Sequence, residues 1–226
     1  MPPIADLTGG FPLRRHEHVA IFYRGREAAF NAMPFLAEGL RGKDLCVYLA
    51  PDDQQAEMLR RLRELSLDVD RHVGDGSFRL HHGLDSLQSL QEWTRAIFGE
   101  AERAAATSLR WLEDGLWPAP LGFPMHHFFE FHALLNYQVK QYPSFALCQY
   151  DLEKTSPHHL LNAIAVHRHL WVEGALVRDN PFYVPAEKFL PSSPAERKRG
   201  LRKLFQDVNF DVGRLLAALV GYARIR

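Results

Sequence analysis

Short apolar runs alternate along this chain with longer stretches in which large apolar residues recur every three or four positions. Residues 19–23, 45–49, 78–80, 109–112 and 145–148 are the short runs, and their size and composition predict strands. Most are too uniformly apolar for a sheet wetted on one face, so helices should cover both sides of a largely parallel sheet. Between the runs, Phe30, Met33, Leu36 and Leu40 keep helical spacing, as do Met58, Leu59, Leu62 and Leu65, and also Leu87, Leu90, Trp93, Ile97 and Ala101. A fourth helix is set by Met125, Phe128, His132, Leu135 and Val139, and a fifth by Leu160, Ile164, His167 and Trp171. Each of the last two carries a histidine on its inward stripe.

Pro181, Pro185, Pro191 and Pro194 then interrupt the pattern and predict the end of the compact unit near Pro194. Beyond them Leu201, Leu204, Val208, Val212, Leu215 and Leu219 step by three and four, close to a heptad seam. The expected division is an N-terminal extension over 1–15, one α/β domain over 16–184, and a proline-rich linker with a C-terminal amphipathic helix over 185–226. That helix carries eight Lys/Arg against three acids within 196–226. It either packs on its own domain or pairs with a second copy or a regulatory partner.

Charge narrows the partners. The 226 residues hold 27 Lys+Arg and 27 Asp+Glu, a balance that speaks against direct nucleic-acid binding by general electrostatics. No apolar run approaches the roughly 20 residues of a membrane span, and the start lacks the order of a signal peptide, so a cytoplasmic location is expected. Cys46 and Cys148 lie inside apolar runs, as buried free thiols do.

Several common chemistries are missing. After the first strand the chain reads Phe22-Tyr23-Arg24-Gly25-Arg26-Glu27, with neither a phosphate loop nor a dinucleotide fingerprint, and Gly42-Lys43 is followed by Asp44. Neither a nucleophile elbow nor a zinc-protease helix motif occurs. The 12 histidines include the adjacent pairs His81-His82, His126-His127 and His158-His159, none at ligand spacing. They are expected as surface pairs plus two hydrogen-bonded interior residues, His132 and His167, with no metal site and no cofactor assigned.

What stands out are polar and aromatic residues just beyond the strand ends, where an α/β sheet gathers ligands. Tyr23, Arg24 and Arg26 follow the first strand, Asp52 the second, Asp114 and Trp117 the fourth, and Gln149, Tyr150 and Asp151 the fifth. The predicted site is a single hollow for a small organic ligand. Tyr23, Trp117 and Tyr150 would give it apolar walls, and Arg24, Asp114, Gln149 and Asp151 polar groups.

At these residues the chain resembles the MEDS domain, the methanogen/methylotroph and DcmR sensory domain. The resemblance runs through His18-Val19-Ala20-Ile21-Phe22-Tyr23, through 35–40 with Cys46-Val47-Tyr48, and through Arg110, Asp114 and Trp117. It continues in Leu147-Cys148-Gln149-Tyr150-Asp151 and in His167, Gly174, Asn180, Pro181 and Tyr183, covering about 16–184. Three positions depart from the family's pattern. His132 stands in place of a glutamate, Glu113 in place of the glycine before Asp114, and Arg168 in place of a proline.

The resemblance adds Trp111 and Tyr183 to the walls of the predicted hollow, and Arg110, His132 and His167 to its polar groups. It implies a fold similar to RecA/KaiC-type domains without the phosphate loop, and a sensory role in transcription or signalling; the leading reading of this chain adds that its C-terminal helix relays the state to a second subunit or a regulatory partner. Two other readings stay open: an enzyme using His132 or His167 with Asp114 or Asp151, and a ligand-free interaction scaffold. Nucleotide binding through Arg24 and Arg26 without hydrolysis is a lesser option.

Overall fold

The computed structural model describes residues 5–7, 11–209 and 211–225. A short antiparallel hairpin of β1 (Ala5–Leu7) and β2 (Phe11–Leu13) comes first. The chain then runs through β3 (His18–Tyr23), a 3-10 turn, α1 (Met33–Arg41), β4 (Leu45–Leu49), α2 (Asp52–Glu64), α3 (Val69–Gly74) and β5 (Phe78–His81). It continues with α4 (Leu87–Arg103), β6 (Leu109–Asp114), α5 (Pro118–Leu121), α6 (Met125–Gln138), β7 (Ser144–Asp151) and α7 (Pro157–Val166). The last elements are β8 (His169–Val172), β9 (Ala175–Val177), α8 (Ala186–Phe189), α9 (Pro194–Phe205) and α10 (Val212–Ile225).

Seven strands form one sheet in the order β5-β4-β6-β7-β3-β8-β9, parallel except for β9. The expected α/β architecture is present, with a separate apolar core on each face. Side chains alternate across a strand, so Val19, Ile21 and Tyr23 meet α1, α2 and α3, while Ala20 and Phe22 meet α4, α6, α7 and the C-terminal helices. Every residue of β3, β4, β6 and β7 is buried, as strands covered on both sides require.

Two expectations fail at the end of the domain. The fifth helix stops at Val166: His167 is extended, with φ −109° and ψ 125°, and Trp171 lies on β8, paired in parallel with β3. A two-residue turn at Glu173-Gly174, with φ 47° and 79°, folds β9 back on β8, a backbone that suits a tight hairpin.

The apparent heptad seam is not one helix either. It breaks at a 3-10 turn over Gln206–Val208 and at left-handed Asn209, and Asp211 accepts a hydrogen bond from the Arg214 N–H as α10 begins. Two of the four prolines stand at the start of helices that join the core instead of ending it. Pro185 precedes α8, and Pro194 opens α9 behind a capping box of Ser193 and Glu196. Leu201, Phe205, Leu215 and Leu219 are buried against the domain's own α7, β8 and β9.

Candidate functional site

The predicted site residues separate into two sets on opposite faces of the sheet, because neighbours along a strand point to opposite sides. Tyr23, Arg110, Asp114, Gln149 and Asp151 turn toward α1 and α2; Trp111, Trp117, Tyr150, His132 and His167 turn toward α6 and α7. Arg24 is exposed beyond β3, Tyr183 is half-buried after β9, and Asp52 sits exposed in the first turn of α2. The single hollow expected from the sequence does not form around all of them.

On the first face most of the polar groups find partners, although Gln149 Oε1 and the neighbouring Tyr48 Oη are buried without one. Tyr23 Oη donates to Asp114 Oδ2 at 2.9 Å, and the Leu116 N–H donates to Asp114 Oδ1 at 2.9 Å. Burial pushes the Asp114 carboxyl up to about 6 despite these bonds, and it pushes the Tyr23 phenol up as well. Gln149 Nε2 donates to Ala29 O at 2.6 Å, and Asp151 Oδ1 accepts from the Glu153 N–H at 2.8 Å. Arg110 lies at the opposite end of β6, where it donates to Asp44 at 2.6 Å, to Glu38 at 3.0 Å and to Phe35 O at 2.8 Å. Its role is to hold α1 on the sheet.

The second face gathers a cluster that local spacing does not reveal. His18 opens β3 and Cys148 lies in the neighbouring strand β7; His132 comes from α6 and His167 from the junction of α7 and β8. All four are buried, and one ligating atom from each lies within 4.8 Å of the other three. His18 Nε2 is 3.3 Å and His132 Nδ1 3.5 Å from Cys148 Sγ. Burial, then the neighbouring imidazoles, pushes all three histidines well below the usual range, so they are neutral at neutral pH; burial also pushes the Cys148 thiol up.

Glu113 closes this cluster on one side. Its carboxylate accepts from Trp111 Nε1 at 3.0 Å and Trp117 Nε1 at 2.8 Å, with His132 Nε2 3.6 Å away. Burial raises the Glu113 carboxyl to about 7. The tryptophans expected as ligand walls are fully enclosed and serve to orient this carboxylate.

A cleft of about 440 Å³ opens at the amino edge of β3 and β8, opposite to the expected end of the sheet. His16, His18, Asn136, Arg168, Asp179 and Tyr183 line it together with Pro185, Ala186 and Glu187 at the start of α8. His18 belongs to both the cleft and the cluster. In the sequence His18 and Cys148 stand in separate strand runs that also carry the family resemblance, and nothing in a linear pattern shows that β3 and β7 are neighbours.

The family model for "MEthanogen/methylotroph, DcmR Sensory domain" matches residues 17–168. The chain belongs to the MEDS family. A relative is the "Transcriptional repressor DcmR" of Methylorubrum extorquens, 27% identical over 167 residues that make up 71% of this chain and 61% of the relative. The MEDS match covers β3 through α7, and so it contains His18, His132, Cys148 and His167. Two of this domain's departures from the MEDS pattern, Glu113 and His132, face each other at 3.6 Å in the same cluster. Arg168, the third, is exposed and paired with Asp179 at 2.7 Å on the cleft wall.

Proposed function

We propose that this MEDS domain is the sensory part of a regulatory system, binding a small polar organic molecule in the cleft at the amino edge of β3 and β8. The observation that carries the reading is the make-up of that cleft. One wall is the rigid sheet and α6, through His18 and Asn136; the other is the segment from Tyr183 to Glu187, which leads directly into α8, α9 and α10. A ligand that binds one arrangement of the two walls better than another shifts the C-terminal helices by that difference in affinity.

The Arg168–Asp179 ion pair, Lys140 and Glu187 present polar groups of both signs and Tyr183 an aromatic surface, so the cleft suits a molecule with both polar and apolar parts. Output passes to a regulatory protein or a second copy through the exposed basic face of α9, which presents Lys198, Arg199, Arg202 and Lys203. The relative's printed name supports a place in transcriptional control, and this chain spans 61% of that protein.

Thermal unfolding with a panel of short-chain alcohols, aldehydes, amines and carboxylates tests the proposal. A true ligand at one hundred times its dissociation constant stabilises by about 2.7 kcal/mol. Tyr183→Ala and Arg168→Ala are each expected to weaken binding roughly tenfold or more, the scale of one lost contact of about 1.4 kcal/mol. A panel without any saturable shift, or unchanged affinity in both variants, rejects the cleft as the sensor site.

A further inference from the structure

We propose that His18, His132, Cys148 and His167 form a binding site for one transition-metal ion of the zinc class. The donor set, three imidazoles and a thiolate, is that of tetrahedral zinc centres. Such a centre needs edges of about 3.5 Å between ligating atoms, given metal–nitrogen bonds near 2.1 Å and metal–sulfur bonds near 2.3 Å. Two edges already have that length, His18 Nε2 to Cys148 Sγ at 3.3 Å and His132 Nδ1 to Cys148 Sγ at 3.5 Å, and no separation exceeds 4.8 Å.

The hydrogen bonds around the cluster decide where its lone pairs point. Asn136 Nδ2 donates to His132 O and Val166 O, each at 3.0 Å, which leaves Oδ1 as an acceptor facing His18 Nδ1 at 3.1 Å. His18 therefore carries its proton on Nδ1 and turns the Nε2 lone pair inward. His167 Nδ1 lies 2.8 Å from Ala163 O, which can only accept, so its Nε2 lone pair also faces the cluster. Outer partners of this kind set the tautomer of metal-binding histidines.

The interior is then short of donors. One thiol proton serves the inward nitrogens, and His167 Nε2 is left buried with no hydrogen-bond partner. A buried unsatisfied acceptor is costly, and a cation removes the deficit. On binding, the Cys148 sulfur gives up its proton to solvent and forms the metal–sulfur bond, while the imidazoles bind as they stand. The ion would join β3 to α6, β7 and the α7–β8 junction, segments far apart in sequence, and four protein ligands make this a closed, structural type of site. His18 also borders the cleft, which supplies the entry path.

The test uses the full chain, stripped with chelator and titrated with cobalt(II) chloride. The expected result is one ion per chain, with a thiolate-to-cobalt charge-transfer band and the visible bands of tetrahedral coordination. Cys148→Ser removes the charge-transfer band, and His167→Gln weakens binding at least tenfold. Exchanging exposed His126 and half-buried His127 for alanine changes neither, which separates the site from histidines nearer the surface. Circular dichroism shows whether each variant is folded, and X-ray absorption of the zinc-loaded wild type gives a readout free of substitutions, expected as one sulfur and three nitrogen neighbours. Coordination by nitrogen and oxygen alone, a cobalt spectrum unchanged by Cys148→Ser, or no binding above the level of the surface histidines overturns the proposal. The probe is the metal alone, so a failed organic-ligand screen leaves this result standing, and the reverse is also true.

Discussion

At Asp114 a fully buried carboxylate accepts hydrogen bonds from Tyr23 Oη and the Leu116 N–H, yet burial outweighs both and raises it to about 6. The folded protein thus holds this proton more tightly than the unfolded chain, whose carboxyl titrates near 3.9. Stability is favoured while the group is neutral and falls as pH rises from about 4 to about 6, by up to roughly 3 kcal/mol for a two-unit shift. In Asp114→Asn that fall is absent, whatever constant penalty the amide adds. Urea unfolding of both proteins at about pH 4 and about pH 7 checks this, and parallel pH dependences would refute it. The placement of Asp114 and Gln149 at strand ends was legible because each comes just after an apolar run, and that of Tyr23 because it closes one. His18 and Cys148 were not, because a buried histidine and a buried cysteine in separate runs look alike whether or not the runs adjoin.

Elements show the same boundary between local and distant information. α1 rides close enough to β6 that a Cβ on Gly39 would sit 2.6 Å from both Arg110 Cδ and Cys46 Sγ. Arg110 cannot yield easily, since its guanidinium is buried and tied to Asp44, Glu38 and Phe35 O. Gly39→Ala is therefore expected to destabilise by about 1–3 kcal/mol despite alanine's better helix propensity, read as a lower urea midpoint. A midpoint at or above the wild type would show that the Arg110 network gives way freely. Five strands and most helices could be read from periodicity, yet β8 was taken into a helix. Its four residues are too few to separate the two periods, and the signal that distinguishes them is the Glu173-Gly174 turn two residues after Trp171.

For the whole molecule, the C-terminal segment packs on its own domain, one of the arrangements its spacing left open, and does so as two helices instead of one. Its regular spacing of apolar residues is real, but the seam faces the domain's own core through Leu201, Phe205, Leu215 and Leu219. Removing residues 194–226 is expected to cost more than about 5 kcal/mol, since each large buried apolar side chain contributes about 1.5–3 kcal/mol. That loss is comparable to the stability of a typical domain, so the truncated chain should unfold at much lower urea or aggregate. A truncated protein with the wild-type midpoint would show instead that the segment is a separable extension.

The sequence by itself determined the alternation of strand and helix, the burial of the sheet on both sides, the inward placement of His132, and the membership in a sensory family that its ordered motifs resemble. These follow from local periodicity and from residues in a fixed order. Strand order, the division of the candidate residues between two faces, the return of the C-terminal helices and the meeting of His18, His132, Cys148 and His167 were decided only by tertiary structure. The reason is physical: which strands adjoin depends on how the whole set of apolar surfaces is buried at once, and no short stretch of chain carries that information.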